Sequence, residues 1–264
     1  MLNKMFKRCG IILAIAVSIV FLPTVLPPVI SGVSGATADQ NMQKLGAGDK
    51  IDGTGLFSGN NIQIDGTVEG TAFAFGQVVR VNGTINGDLI TCAQTIYING
   101  TVKGNIYAAG QDLTLGTQAT GDVLLAGQRI DVTKEAVIGR DLFIGGSTVL
   151  MDGTVQREFY VNGADVSISG LVGRNLNMEG QTLNLLDGAD IKGDLSYRTH
   201  DKAKIASGAV IEGKTNWQYV EPAETQPSKT FVSDLTGMLW SIAGALLIWF
   251  IVRIWRPEFW TKNA

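Results

Sequence analysis

From Ile62 onward the chain alternates apolar and polar residues on a period of 17, as in IQIDGTVEGTAFAFGQV, VRVNGTINGDLITCAQT, IYINGTVKGNIYAAGQD and LTLGTQATGDVLLAGQR. Further units start at Ile130, Val149, Val166 and Leu183, with a two-residue insertion in the first of these and a decayed copy near Ala203, about nine units in all. With a unit numbered 1 to 17, positions 1 and 3 hold Ile, Val or Leu, position 7 holds Val68, Ile85, Val102 and Ala119, and position 11 is apolar from Ala72 to Leu195. Position 13 is mostly apolar, and glycine recurs at positions 5, 9 and 15. Alternation predicts strands, and a constant period predicts stacked coils. Three short strands between glycine corners account for one unit. Coils stacked ~4.8 Å apart pair each strand with its counterparts above and below and bury positions 1, 3, 7, 11 and 13 in one column. The expected fold is all-β, a right-handed parallel β-helix (solenoid) over residues 51–217. A period of 17 does not divide into hexapeptides, which favours the right-handed form over the left-handed one.

Composition supports this. Of 33 glycines, 28 lie between Gly46 and Gly213, and the six prolines, Pro23, Pro27, Pro28, Pro222, Pro227 and Pro257, all lie outside residues 29 to 221. Each interior coil needs its amide donors for its neighbours, so proline is excluded. Glycine corners imply positive φ or a close approach of backbone, both penalised by a Cβ. No strict glycine triplet exists, which excludes collagen, and 45% hydrophobic residues argue against wholesale disorder. With 21 basic and 24 acidic residues and no basic run, nucleic acid is not an expected partner.

The two ends differ from the middle. Lys4, Lys7 and Arg8 precede an apolar run from Gly10 to Leu22, with small residues at Ala36 and Ala38, so residues 1–38 read as a signal peptide or an uncleaved N-terminal anchor. Residues 39–50 read as a linker, as do 218–234. Leu235 to Val252 carry no charge over 18 residues, enough for a transmembrane helix, and Arg253, Arg256 and Lys262 follow in a tail, 253–264, expected on the cytoplasmic side. This topology places the β-helix on the extracytoplasmic side of a bacterial cell membrane. Setting aside three basic residues at each end and Glu258 leaves 15 basic against 23 acidic residues in 39–234, net −8, a charge that anionic headgroups repel. Cys92 is the only cysteine in that part, so no internal disulfide framework is available.

Three outward positions invite a functional reading. Position 12 lies between two inward positions yet reads Phe73, Ile90, Tyr107, Leu124, Phe143 and Tyr160 before turning polar at Asn177 and Ser196. Such a stripe marks a lateral interaction surface, whether toward another rod, a partner or the chain's own linker. Position 16 repeats Gln77, Gln94, Gln111, Gln128 and Gln181, a polar ladder that also suits a saccharide along that edge. Position 10 repeats Asp88, Asn105, Asp122, Asp141, Glu158, Asn175 and Asp194, which fits turn capping better than calcium, because the G-G-x-G-x-D nonapeptide is missing. The sole histidine, His200, lies in the irregular last unit and reads as a solvated residue. No nucleophile elbow, P-loop or metal-ligand cluster is present, and a cleft of carboxylates between long loops has nowhere to form, so neither enzyme activity nor a cofactor is expected.

The recurring I-x-I-x-G-T-V-x-G pattern, in IQIDGTVEG, VRVNGTING, IYINGTVKG and VLMDGTVQR, resembles the bactofilins over roughly residues 51 to 214. The resemblance implies a β-helical core that polymerises without nucleotide by end-to-end stacking and serves as a scaffold for envelope or cell-shape proteins. Typical members are cytoplasmic and lack an export signal, so this chain is expected to be an exported, membrane-anchored variant. The expected function is a non-catalytic, self-associating scaffold tethered to the membrane. An extracytoplasmic polysaccharide-binding module is the alternative, and envelope proteins or wall polysaccharide are its possible partners.

Overall fold

A computed structural model describes residues 42–221. The expected signal segment or N-terminal anchor, the apolar stretch 235–252 and the flanking Arg253 and Arg256 lie outside the described residues. Among those described, no helix occurs, and the chain winds as a parallel β-solenoid of about ten coils.

Each interior coil contributes one ten-residue strand and one two-residue strand. Ala72–Val81, Leu89–Ile98, Ile106–Leu115 and Val123–Val132 are successive long strands, and Thr67–Val68, Thr84–Ile85 and Thr101–Val102 are successive short ones. Long strands pair only with long and short with short, apart from Lys204–Ile205 joining the upper end of the long-strand sheet, which gives a 12-stranded and a 10-stranded sheet. Register follows the repeat: Leu89 pairs with Ile106, Ile106 with Val123, and Val102 with Ala119. The three short strands expected per unit are thus two, because the third strand of one unit runs on into the first of the next. The joint is at position 16, where Gln94 falls out of a ladder that continues on either side, Ala93 with Gly110 and Thr95 with Asp112. A bend at one residue turns the chain without ending its hydrogen bonding.

All five inward positions are buried. In one turn Ile96, Ile98, Val102, Ile106 and Ala108 are at most 3% exposed. Burial of such side chains stabilises by ~1.5–3 kcal/mol for each large aliphatic, and a column that repeats it is the main cohesive term.

The rod begins earlier than the repeat suggests. Met42–Leu45 pairs with Asn61–Ile64, and Lys50–Ile51 with Thr67–Val68, so part of the stretch expected as linker is a first coil. At the other end Thr215–Tyr219 closes the long-strand sheet, two residues past the expected boundary. The expected insertion after Ile130 is present, Ala119 pairing with Ile138, and a second one, unexpected, separates Val172 from Ile191. Both are tight turns at the same corner, closed by Ala136 N donating to Thr133 O at 2.9 Å and Ala189 N donating to Leu186 O at 3.1 Å. The first and last coils turn in the same way, at Gly46 to Asp49 and at Ala206 to Ala209. A corner points into solvent, so two more residues there leave the core register intact.

Candidate assembly surfaces

The outer face of the long-strand sheet carries the predicted stripe. Pairing places Phe73 beside Ile90, Ile90 beside Tyr107, Tyr107 beside Leu124, Leu124 beside Phe143 and Phe143 beside Tyr160, one per coil. The column starts one coil earlier, at Leu56, and turns polar at Asn177 and Ser196. Leu56 and Tyr107 are 46% and 43% exposed, and the other apolar members are half-buried by their neighbours above and below. The Phe143 and Tyr160 rings stack 5.1 Å apart and 4° from parallel. Burial, and then the carboxylates of Glu158 and Asp141, push the Tyr160 phenol above its ordinary range, so it stays neutral.

A second outward column, which sequence reasoning missed, runs beside the first at position 14: Ser58, Phe75, Cys92, Ala109, Ala126, Gly145 and Asn162, then Glu179 and Arg198. Its signal was available, because residues two apart on a strand share a face. Burial among these apolar neighbours raises the Cys92 thiol above its usual value, which disfavours the thiolate. Toward the upper coils the face becomes a shallow half-open depression lined by Tyr160, Asn177, Glu179, Arg198, Asn216 and Gln218.

The polar columns serve the stack itself. Gln94 Nε2 donates to Gln111 Oε1 at 3.4 Å and Gln111 Nε2 to Gln128 Oε1 at 3.2 Å, while Gln77 and Gln181 occupy exposed equivalents of the same edge. At position 10 every side chain but Glu158, which accepts from the Asn175 side-chain amide, caps the next coil rather than its own turn. Asn105 N donates to Asp88 Oδ1 at 2.7 Å, Asp122 N to Asn105 Oδ1 at 2.9 Å and Asp194 N to Asn175 Oδ1 at 2.7 Å. Arg140 Nε and Arg157 Nε stand 3.2 and 3.3 Å from the carboxylates of Asp122 and Asp141, where other coils have glycine. Among the described residues no group of three or more His, Cys, Asp or Glu is arranged to hold a metal ion. His200 is exposed, 4.0 Å from Asp201 Oδ1 and beside the Tyr219 ring.

The two ends of the solenoid are the remaining surfaces. Met42–Leu45 and Thr215–Tyr219 are the terminal strands of the long sheet, each paired on one side among the described residues. In the last coil the inward columns run out into solvent: Ile205 is 46% exposed, and Trp217 lies half-buried over the column, its Nε1 donating to Thr199 O at 3.3 Å.

Among the described residues the fold is an all-parallel solenoid with apolar columns outside and terminal strands paired on one side only. Residues 43–142 match the family model Bactofilin, described as polymer-forming cytoskeletal, the family that the repeats resemble. Comparison with curated proteins and with solved structures gives no match.

Proposed function

We propose that the chain is a non-catalytic scaffold whose right-handed solenoids stack end to end into filaments. The observation that carries this is the state of the terminal coils: among the described residues Thr215–Tyr219 is paired on one side only, and Ile205 and Trp217 leave the core column open. A second copy seated there continues both sheets and covers that apolar surface. The polymer-forming description of the matched family supports the same reading.

The polymer is tethered, in this proposal, through the apolar stretch 235–252, with Arg253 and Arg256 on the cytoplasmic side and the rod outside. The support is the sequence alone, from the basic flanks at both ends. Tethering confines rods to a plane and raises their effective concentration. A second reading, recognition of a wall polysaccharide, draws on the depression beside Tyr160, whose amide and charged lining suits hydroxyl groups.

Electron microscopy of the full-length chain in detergent tests the first reading. Filaments with an axial repeat near ~48 Å, ten coils of ~4.8 Å, are expected. Monodisperse particles that retain glycan would support the second reading and defeat the first. A reporter fused after Ala264 checks the topology, and activity confined to the exported compartment would overturn it.

A further inference from the structure

On the outer face of the long sheet the position 12 column is apolar over seven successive coils, from Leu56 to Tyr160, and polar above them. Its two columns differ in size. Position 12 is bulky in every one of those coils, whereas position 14 narrows to Cys92, Ala109, Ala126 and Gly145 in the middle four. The rod's own packing does not ask for a small residue at Gly145, since a Cβ there would meet nothing within 4 Å. Its neighbour Gly146, by contrast, is held small by backbone, since a Cβ there would lie 3.0 Å from Gly127 O.

We infer that this face binds the same face of a second copy of the chain, the two rods parallel and in register about a two-fold axis that runs along the rod between the two columns. In that arrangement position 12 of one rod meets position 14 of the other on every coil. Tyr107 seats against Ala109, Leu124 against Ala126 and Phe143 against Gly145, large into small, as a packed interface requires. An antiparallel pair would set bulky column against bulky column and leave the small one uncovered. Polar groups agree with the parallel choice. The rim of position 10, with Asp88, Asn105 and Asp122, faces the Gln94, Gln111 and Gln128 ladder of the partner, amide donors to carboxylates, whereas antiparallel rods would oppose two acidic rims. Above Tyr160, Asn177 meets Glu179 and Ser196 meets Arg198, polar against polar, and in the apolar coils only the end pairs, Leu56 with Ser58 and Tyr160 with Asn162, are mixed.

The size of the patch supports a second copy as its occupant. Seven coils of ~4.8 Å and five residues of ~3.3 Å give ~34 by ~17 Å, about 570 Å² on each rod and roughly 1,100 Å² in the pair, the lower end of specific interfaces. One pair is therefore weak, and copies already joined in filaments add their patches, so pairing becomes cooperative. The inference rests on the scaffold reading for that cooperativity and not for the pair itself.

The test uses the full-length chain in detergent with Cys9→Ser and Cys92→Ala, so that one introduced cysteine reports the contact. With Ser58→Cys, a short bis-maleimide is expected to give a covalent dimer, because Ser58 and its copy stand on the same coil, one column apart across the axis; antiparallel rods would separate the two by six coils, ~29 Å. Adding Gly145→Leu, which has room in the single rod, is expected to lower the dimer yield at least tenfold with an unchanged melting temperature. A dimer yield indifferent to Gly145→Leu, no dimer at all, or crosslinking only between Ser58→Cys and Asn162→Cys copies would overturn the inference. Microscopy of the same samples separates the two claims: single filaments in the Gly145→Leu variant support both, and loss of filaments from every sample defeats end-to-end stacking while the crosslink still decides the pair.

Discussion

Gly83 lies directly over Gly66, so close that a Cβ on Gly83 would sit 1.9 Å from the Gly66 carbonyl oxygen. The same contact recurs a coil later, where a Cβ on Gly100 would lie 1.9 Å from Gly83 O. Among the described residues only Gly48, Gly53 and Gly188 have positive φ, so close approach is what the repeated corner demands. Gly83→Ala is expected to lower stability by ~3 kcal/mol or more, while Gly145→Ala stays within ~0.5 kcal/mol, read from thermal melting of the two variants.

The position 10 caps predict a graded loss. Asp88→Ala removes the acceptor of the Asn105 amide, a bond between coils, and should cost ~1–2 kcal/mol in a denaturant titration. Asp88→Asn keeps an acceptor oxygen and should cost clearly less, as Asn175 already does this work for Asp194.

Two carboxylates, Asp65 and Asp131, should respond to pH in opposite directions. The Asn82 amide, then Gln63 and Lys44, hold Asp65 below the ordinary carboxylate value, so its contribution is present above that value and lost as pH falls through the lowered one. Burial, then Asp152 and Glu135, push Asp131 up, so the folded state favours its protonated form and loses stability as pH rises from the ordinary value to the raised one. Asp131→Asn should therefore raise the melting temperature at pH ~7 and leave it nearly unchanged at pH ~3, with Asp65→Asn lowering it at pH ~7.

Charge at the open end should separate folding from assembly. Ile205→Lys places an ammonium on a side chain already 46% exposed in the single rod, so melting should change little. Filament length by microscopy should collapse, because stacking would bury that charge without a partner.

Much of this architecture was readable in advance because strand alternation and coil stacking are both periodic. Ile96, Ile98, Val102 and Ile106 declare their burial by spacing alone, and pairing of equals with equals follows once the period is known. The first coil was not legible, since Gln43 and Gly55 stand where other coils have aliphatics, and Met42–Leu45 becomes a strand only because Asn61–Ile64 offers it an edge. The second insertion, before Ile191, was hidden for a related reason: the exposed residues Leu186 to Gly188 lie between Leu185 and Ile191, which both keep their inward places.

By itself the sequence determined a parallel solenoid, its inward columns and the outward stripe from Phe73 to Tyr160, because a residue's side of a strand is set by parity along the chain. Only the tertiary structure decided what lies next to what. It showed that the Asp88 carboxylate serves the coil above, that the Gly83 corner is small because backbone passes over backbone, and that Gly145 has open space around it. Those are contacts between residues 17 or more apart, whose distances depend on how the coils settle on one another.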